Sequence, residues 1–274
     1  MPNINRRTTY KASSGESTPK PREAHVLPST QHGDVADVHG RAVMVWHDPE
    51  GGPQNMPAGP GCRDVGIERA ELIRRGYNYR HRRNYEGLYW CAGTESHIWY
   101  ESMTEYTSLM YLDHTTTFAA VAAQPLCLIF EDGTKHYTDF FAVLQSGRQI
   151  LIDVEPREHM DEAVQKQFAK TSAACQLIGW DYEVLHGLPS VPRHNLEWLA
   201  AYRHPWNVPN EHERSRILTF LTEPRTLQEA MAYLRPDALV FAAHHVYHLM
   251  WCRDIDFELN APFDWSTEIR RSHV

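Results

Sequence analysis

A mixed α/β domain followed by a small helical unit is predicted by three observations. Helical and strand periodicities alternate in a fixed order between residues 102 and 185. From residue 211 the pattern becomes three short helices and a terminal hairpin. The first 55 residues are rich in Ser, Thr, Pro, Gly and charge, with only Ala42-Val-Met-Val-Trp46 patterned as a short strand. Such a composition buries too little apolar surface to offset chain entropy, so most of residues 1–55 is expected to be disordered.

Taken in order, residues 102–112 place Met103, Tyr106, Leu109 and Met110 at helical spacing, which sets Glu105 beside the buried face. Residues 124–130 read as a strand, 131–134 as a turn, 135–143 as its hairpin partner, 145–147 as a second turn and 149–154 as a third strand. Residues 161–178 return to the helical period and Gly179 stops them, before a strand over 181–185. Past the Pro- and Asn-containing segment 204–210, one helix is expected over 211–221. Thr226-Leu-Gln-Glu229 is a capping box opening the next, and a third runs from Pro236 to about Trp251. Residues 254–259 and 265–270 then alternate like paired strands. The expected domains are a tail (1–55), an α/β unit (56–203), a linker (204–210) and a winged-helix-like unit (211–274). A true linker at 204–210 predicts that the α/β unit folds without the C-terminal one.

Three acids fall at the ends of these elements: Glu105 in the first helix, Asp139 at the mouth of a strand and Asp153 on the next. Convergent carboxylates bind hard divalent cations through oxygen, and two such ions can clamp the attacking and leaving oxygens of a phosphodiester. Helix, three strands, helix, strand is the order of the restriction-endonuclease-like α/β core, which takes one acid from each of these positions. The bland alternative is surface charge. It suits Glu101 and Glu105 best, and Asp153 least, because Ile150-Leu-Ile152 and Val154 imply a strand buried on both faces.

The chain also resembles the TnsA-like endonuclease subunit of heteromeric transposases, actinobacterial type, within the PD-(D/E)xK superfamily. The matching residues are Asn84-Tyr-Glu-Gly-Leu-Tyr-Trp90, His97-Ile-Trp-Tyr-Glu-Ser-Met-Thr-Glu105, Gln124-Pro125, His136-Tyr-Thr-Asp139-Phe140, Trp180-Asp-Tyr182 and Asn195-Leu-Glu-Trp198-Leu-Ala-Ala-Tyr202-Arg203-His204-Pro205. The resemblance runs from about Tyr77 to the C-terminus. The resemblance implies DNA nicking at transposon ends with Mg²⁺ or Mn²⁺ held by Glu105, Asp139 and Asp153. It also implies a DDE-type (TnsB-like) recombinase and an AAA+ (TnsC-like) ATPase as partners. Glu101 and Gln124 are accessory candidates.

One position departs from the family pattern. Its signature ends in Lys where this chain has Asp153-Val-Glu155, so an acid stands where an ammonium would steady the developing charge. Two outcomes remain open. Glu155 joins the metal ligands while Lys166 or Lys170 brings positive charge from the following helix, or the subunit is a degenerate nuclease-fold scaffold that recruits the recombinase or the ATPase.

The net charge is −8, so contact with DNA has to come from local clusters. Arg80, Arg82 and Arg83, interleaved with tyrosines, are the candidate phosphate-tracking stretch, with Arg203 in a sparser second set. The C-terminal unit carries seven Arg and no Lys against ten Asp and Glu, which favours protein contact over DNA reading and weakens a stand-alone restriction-type enzyme. His244, His245 and His248 lack further ligands for zinc and read as helix histidines at a surface. Five scattered cysteines without a CxxC pair read as reduced core residues. No apolar run reaches the roughly 20 residues that cross a bilayer, and Met1-Pro-Asn-Ile-Asn-Arg-Arg lacks a signal-peptide core, so a cytoplasmic location is expected.

Overall fold

The computed structural model describes residues 41–74 and 85–272. Strand β1 (Ala42–Asp48) and β2 (Gly52–Pro57) form a hairpin, and β3 (Gly87–Cys91) and β4 (Ser96–Tyr100) form another. Helix α1 (Met103–Thr115) follows, then β5 (Phe118–Ala123), β6 (Leu126–Phe130), β7 (Lys135–Tyr137), β8 (Phe140–Leu144) and β9 (Gln149–Val154). Helix α2 (Glu162–Ile178), β10 (Asp181–Leu185) and α3 (Ser190–Ala200) complete the α/β part.

Two sheets carry these strands, in the orders β2-β1-β6-β7 and β10-β9-β8-β5. In the second, β5, β8 and β9 are antiparallel and β10 runs parallel to β9. The expected three-strand meander is therefore corrected: residues 135–143 are not one strand. They break at Thr138-Asp139, where the chain leaves β6 for β5 and β9. The connection from β5 to β6 breaks likewise at Gln124, which has a left-handed φ of 43°. The two breaks are bonded together, Gln124 N–H donating to the Asp139 carbonyl at 2.7 Å. A seam between the sheets results, with Gln124 and Asp139 facing across it.

The N-terminal boundary also moves. Although residues 41–55 have a tail-like composition, β1 lies between β2 and β6 with Met44 fully buried. Residues 1–40 lie outside the described residues.

Helix α1 begins at a cap the composition advertises, Ser102-Met-Thr-Glu105: Ser102 Oγ accepts from Glu105 N–H at 3.1 Å. Its last turn is tied to the β3–β4 hairpin by Asp113. That buried carboxylate accepts from Tyr89 OH, Ala92 N–H and Gly93 N–H, each at 2.9 Å, and from Cys91 Sγ at 3.3 Å. Burial, with Asp113 alongside, pushes the Cys91 thiol up to about 12 and the Tyr89 phenol above its ordinary range. Asp113→Ala leaves these donors without a partner and should cost about 3–5 kcal/mol, measurable as a lower urea midpoint at unchanged slope.

The C-terminal elements are α4 (Glu211–Phe220), β11 (Arg225–Thr226), α5 (Leu227–Leu234), α6 (Leu239–Trp251), β12 (Ile255–Phe257) and β13 (Glu268–Arg271), the strands ordered β11-β13-β12. The capping box at Thr226 and Glu229 is present. Helix α6 starts three residues after Pro236 because Ala238 is not yet helical, with φ −150° and ψ 56°.

Segment 204–210 does not separate two cores. Residues 205–207 form a turn of 3-10 helix, and buried Asn207 is hydrogen-bonded to His244 at 3.0 Å. One apolar cluster runs from Leu109, Leu112, Leu196 and Leu199 into Ile217, Met231, Val246 and Met250. His114 Nδ1 bonds the Trp251 carbonyl at 2.9 Å, and burial lowers the His114 pKa to about 4. Asn195 donates to the carbonyls of Leu259 and Ala261, both at 2.8 Å.

Four of the five cysteines are buried thiols, as expected, while Cys252 is exposed. The three α6 histidines have separate protein partners: His244 bonds Asn207, His245 lies 3.3 Å from Glu213, and His248 bonds the Tyr202 carbonyl at 2.8 Å. No helix among the described residues is long and apolar enough to cross a membrane.

Candidate functional site

The seam gathers the acids. Glu105 enters from the first turn of α1 and is buried, and Asp153, from the middle of the two-face-buried β9, is 1% exposed. Asp139 stands half-buried just ahead of β8. Asp139 and Asp153 tie their segments together: Val154 N–H donates to Asp139 Oδ2 at 2.7 Å, and Asp139 N–H reaches Asp153 Oδ1 at 3.4 Å.

Electrostatics places all three in one field. The Asp139 carboxyl is held well above the usual range, first by burial, then by the charges of Asp153 and Glu105, with Arg74 opposing. Burial also raises Glu105, against hydrogen bonds from Glu101 N–H and Ser102 and a counter-pull from Arg74. A carboxyl raised by burial and by the charges of two neighbouring acids marks a place where a cation would be welcome.

Asp153 is oriented by Tyr182 and His136, two residues within the segments that carry the resemblance. Tyr182 OH donates to Asp153 Oδ2 at 2.6 Å, and His136 Nε2 meets the same oxygen at 2.7 Å. The Gln167 amide contacts the other ring nitrogen of His136. With the Gln167 NH₂ facing Nδ1, that nitrogen accepts and Nε2 carries the hydrogen donated to Asp153. The shift of two positions from Thr138-Asp139 back to His136 and the i, i+3 offset of Gln167 from Val164 are visible in the sequence, but nothing there says that they meet.

Glu101 and Gln124 form the opposite wall. Gln124 Nε2 donates to Glu101 Oε2 at 2.8 Å, and Glu101 N–H donates to Glu105 Oε2 at 2.8 Å. Gln124 is 2% exposed, and its buried Oε1 has no protein hydrogen-bond partner. A buried amide oxygen without a donor is costly unless something else fills its lone pairs.

Other expected residues lie elsewhere. Lys166 pairs with Glu162 at 2.6 Å on the exposed face of α2. Lys170 binds Asp132 and sits 5.5 Å over the Phe130 ring at the β6–β7 turn. Both expectations of a replacement cation from α2 are thus corrected, because these ammonium groups have closer acids on their own side. Among the described residues, the cation beside the acids is Arg74, 3.6 Å from Glu101 Oε2. Glu155 falls just past the end of β9, its carboxyl 3.1 Å from His159 Nδ1. Arg203 is engaged within the fold: Nε donates to the Trp90 carbonyl at 3.1 Å, Nη1 to the Ala200 carbonyl at 2.7 Å, and the guanidinium lies 5.0 Å over the Tyr89 ring. Arg80, Arg82 and Arg83 lie outside the described residues.

An all-oxygen donor set of Glu105, Asp139, Asp153 and the orphan Gln124 Oε1 fits the chemistry of Mg²⁺ or Mn²⁺. As they stand, no three His, Cys, Asp or Glu side chains among the described residues are arranged to hold an ion. Glu105 has both oxygens engaged, Oε1 by Ser102 Oγ at 2.9 Å and Oε2 by Glu101 N–H. Compared with known proteins, the chain matches no family model and no curated protein.

Proposed function

We propose that the chain is the metal-dependent DNA endonuclease subunit of a heteromeric transposase, hydrolysing phosphodiester bonds at transposon ends beside a DDE-type recombinase and an AAA+ ATPase. The observation that carries this reading is the meeting of Glu105, Asp139 and Asp153 at one seam, where the charges of Asp153 and Glu105 join burial in raising the proton affinity of Asp139. Support also comes from the strand order: antiparallel β5-β8-β9, then α2, then β10 parallel to β9, as the restriction-endonuclease-like core requires.

Glu105, Asp139, Asp153 and Gln124 Oε1 would hold the ion, which when bound supplies Lewis-acid polarisation of the phosphodiester. The protein's share is positioning. Tyr182 and His136 fix the Asp153 carboxylate so that its remaining lone pairs point one way, the outer-shell role that tunes a ligand. To hold the ion, Glu105 would give up its bonds to Ser102 Oγ and Glu101 N–H.

A second reading, a nuclease-fold scaffold that recruits the recombinase or ATPase, is favoured by one observation: position 155 carries an acid, already paired with His159. Reconstitution with both partners, transposon-end DNA and Mg²⁺ or Mn²⁺ separates the two. The wild-type chain should nick, Asp153→Asn should not, and both should give the same far-UV circular dichroism. A silent wild type that still assembles the complex establishes the scaffold instead.

A further inference from the structure

We propose that Arg74 supplies the positive charge absent from position 155, and that its guanidinium takes a backbone phosphate of the nucleic acid at the acid seam. The inference rests on the nuclease-fold reading above and names how the site meets its polyanion. Three contacts aim the side chain. Ile73 N–H donates to the Gln124 carbonyl at 3.0 Å, which pins the chain at the β5–β6 break. The guanidinium lies 5.0 Å over the Tyr137 ring, two residues before Asp139. Nη2 stands 3.6 Å from Glu101 Oε2, the oxygen that also accepts from Gln124.

Arg74 is half exposed while Glu101 is nearly covered, so one edge of the fork is held and the rest faces outward. A planar fork with some of its donors fixed is the geometry that takes phosphate oxygens in pairs. Its field already reaches the carboxyls, since it counteracts the upward shifts of both Glu105 and Asp139. Lys166 and Lys170, the alternatives on α2, are bound to Glu162 and Asp132. Tyr137 and Glu101 thus do for an arginine from before β3 what a strand would do for a lysine on β9.

The full chain and its Arg74→Ala and Arg74→Lys variants should be compared in two assays. In the first, binding to a short DNA duplex in Ca²⁺, which disfavours turnover, is followed across a salt series. Arg74→Ala should weaken binding severalfold and flatten the log K against log salt slope by ~0.9, the value of one phosphate contact, with Arg74→Lys restoring the slope. In the second, nicking by the reconstituted complex should fall about 10²–10³-fold in Arg74→Ala, the usual loss on removing one charge-stabilising donor, and recover in part in Arg74→Lys. An unchanged salt slope in Arg74→Ala overturns the proposal even if nicking is lost. If the wild type does not nick, the endonuclease reading fails while the salt slope still decides the role of Arg74.

Discussion

Asp139→Asn should make the protein more stable at neutral pH and remove metal-dependent cleavage. The folded-state pKa of Asp139 lies above its unfolded value because of burial and the neighbouring charges of Asp153 and Glu105. Below about pH 3 both states are protonated and no penalty exists. As pH rises the unfolded state ionises first, so folding loses stability progressively until the folded carboxyl has ionised too. Asparagine has no such charge, and its Oδ1 still accepts from Val154 N–H. The expected gain is ~1 kcal/mol, or ~2–4 °C in Tm for a chain of this size, at pH 7–8, and nothing below about pH 3. Thermal scans across that range are the check. A variant that is less stable than wild type at pH 8 would show that Asp139 is not repelled by its neighbours, and would remove the argument for a cation site.

Truncation after Val208 should not leave a folded α/β unit, contrary to what a linker over 204–210 implies. Leu196 and Leu199, both fully buried against the C-terminal elements, become solvent-exposed. His114 loses the Trp251 carbonyl, and Asn195 loses two acceptors. Such losses approach the whole stability of a domain, ~5–15 kcal/mol. The truncated chain is expected to aggregate, or to elute expanded and without near-UV dichroism. In the full chain, Met250→Ala should cost ~2–5 kcal/mol and lower one shared transition. A truncated chain that melts cooperatively near the wild-type temperature would restore the two-domain boundary.

These cases show where the sequence was readable. Helix α2 has a cap at Asp161, a periodic face through Phe168 and Cys175, and a left-handed Gly179 with φ 88°, each a local signal. Strand β9 and its buried Asp153 follow from Ile150-Leu-Ile152. Strand β5, Phe118-Ala-Ala-Val-Ala-Ala123, was missed because alanine has little strand preference and shows no alternation; its pairing with β8 forms it. The break at Thr138-Asp139 lacks Gly, Pro or Asn, so residues 135–143 read as a single strand. Prolines at 205 and 209 signal an irregular backbone, which is correct, but composition does not say whether that backbone is packed. Arg74 lies 27 residues before Glu101 and beyond a hairpin, a separation that periodicity does not bridge.

The seam has a consequence for motion. Because β5 runs on into β6 and β7 into β8, each ribbon belongs to both sheets, and Gln124 bonds Asp139 where the ribbons cross. Neither sheet can breathe at that point without unpairing the other. Amides around Asp139 and Val154 are therefore expected in the slowest-exchanging class, opening only with global unfolding. Whatever enters the site must fit a mould whose rigidity is that of the whole protein, and adjustment is left to the Glu105 side chain and to groups that approach from outside the sheets.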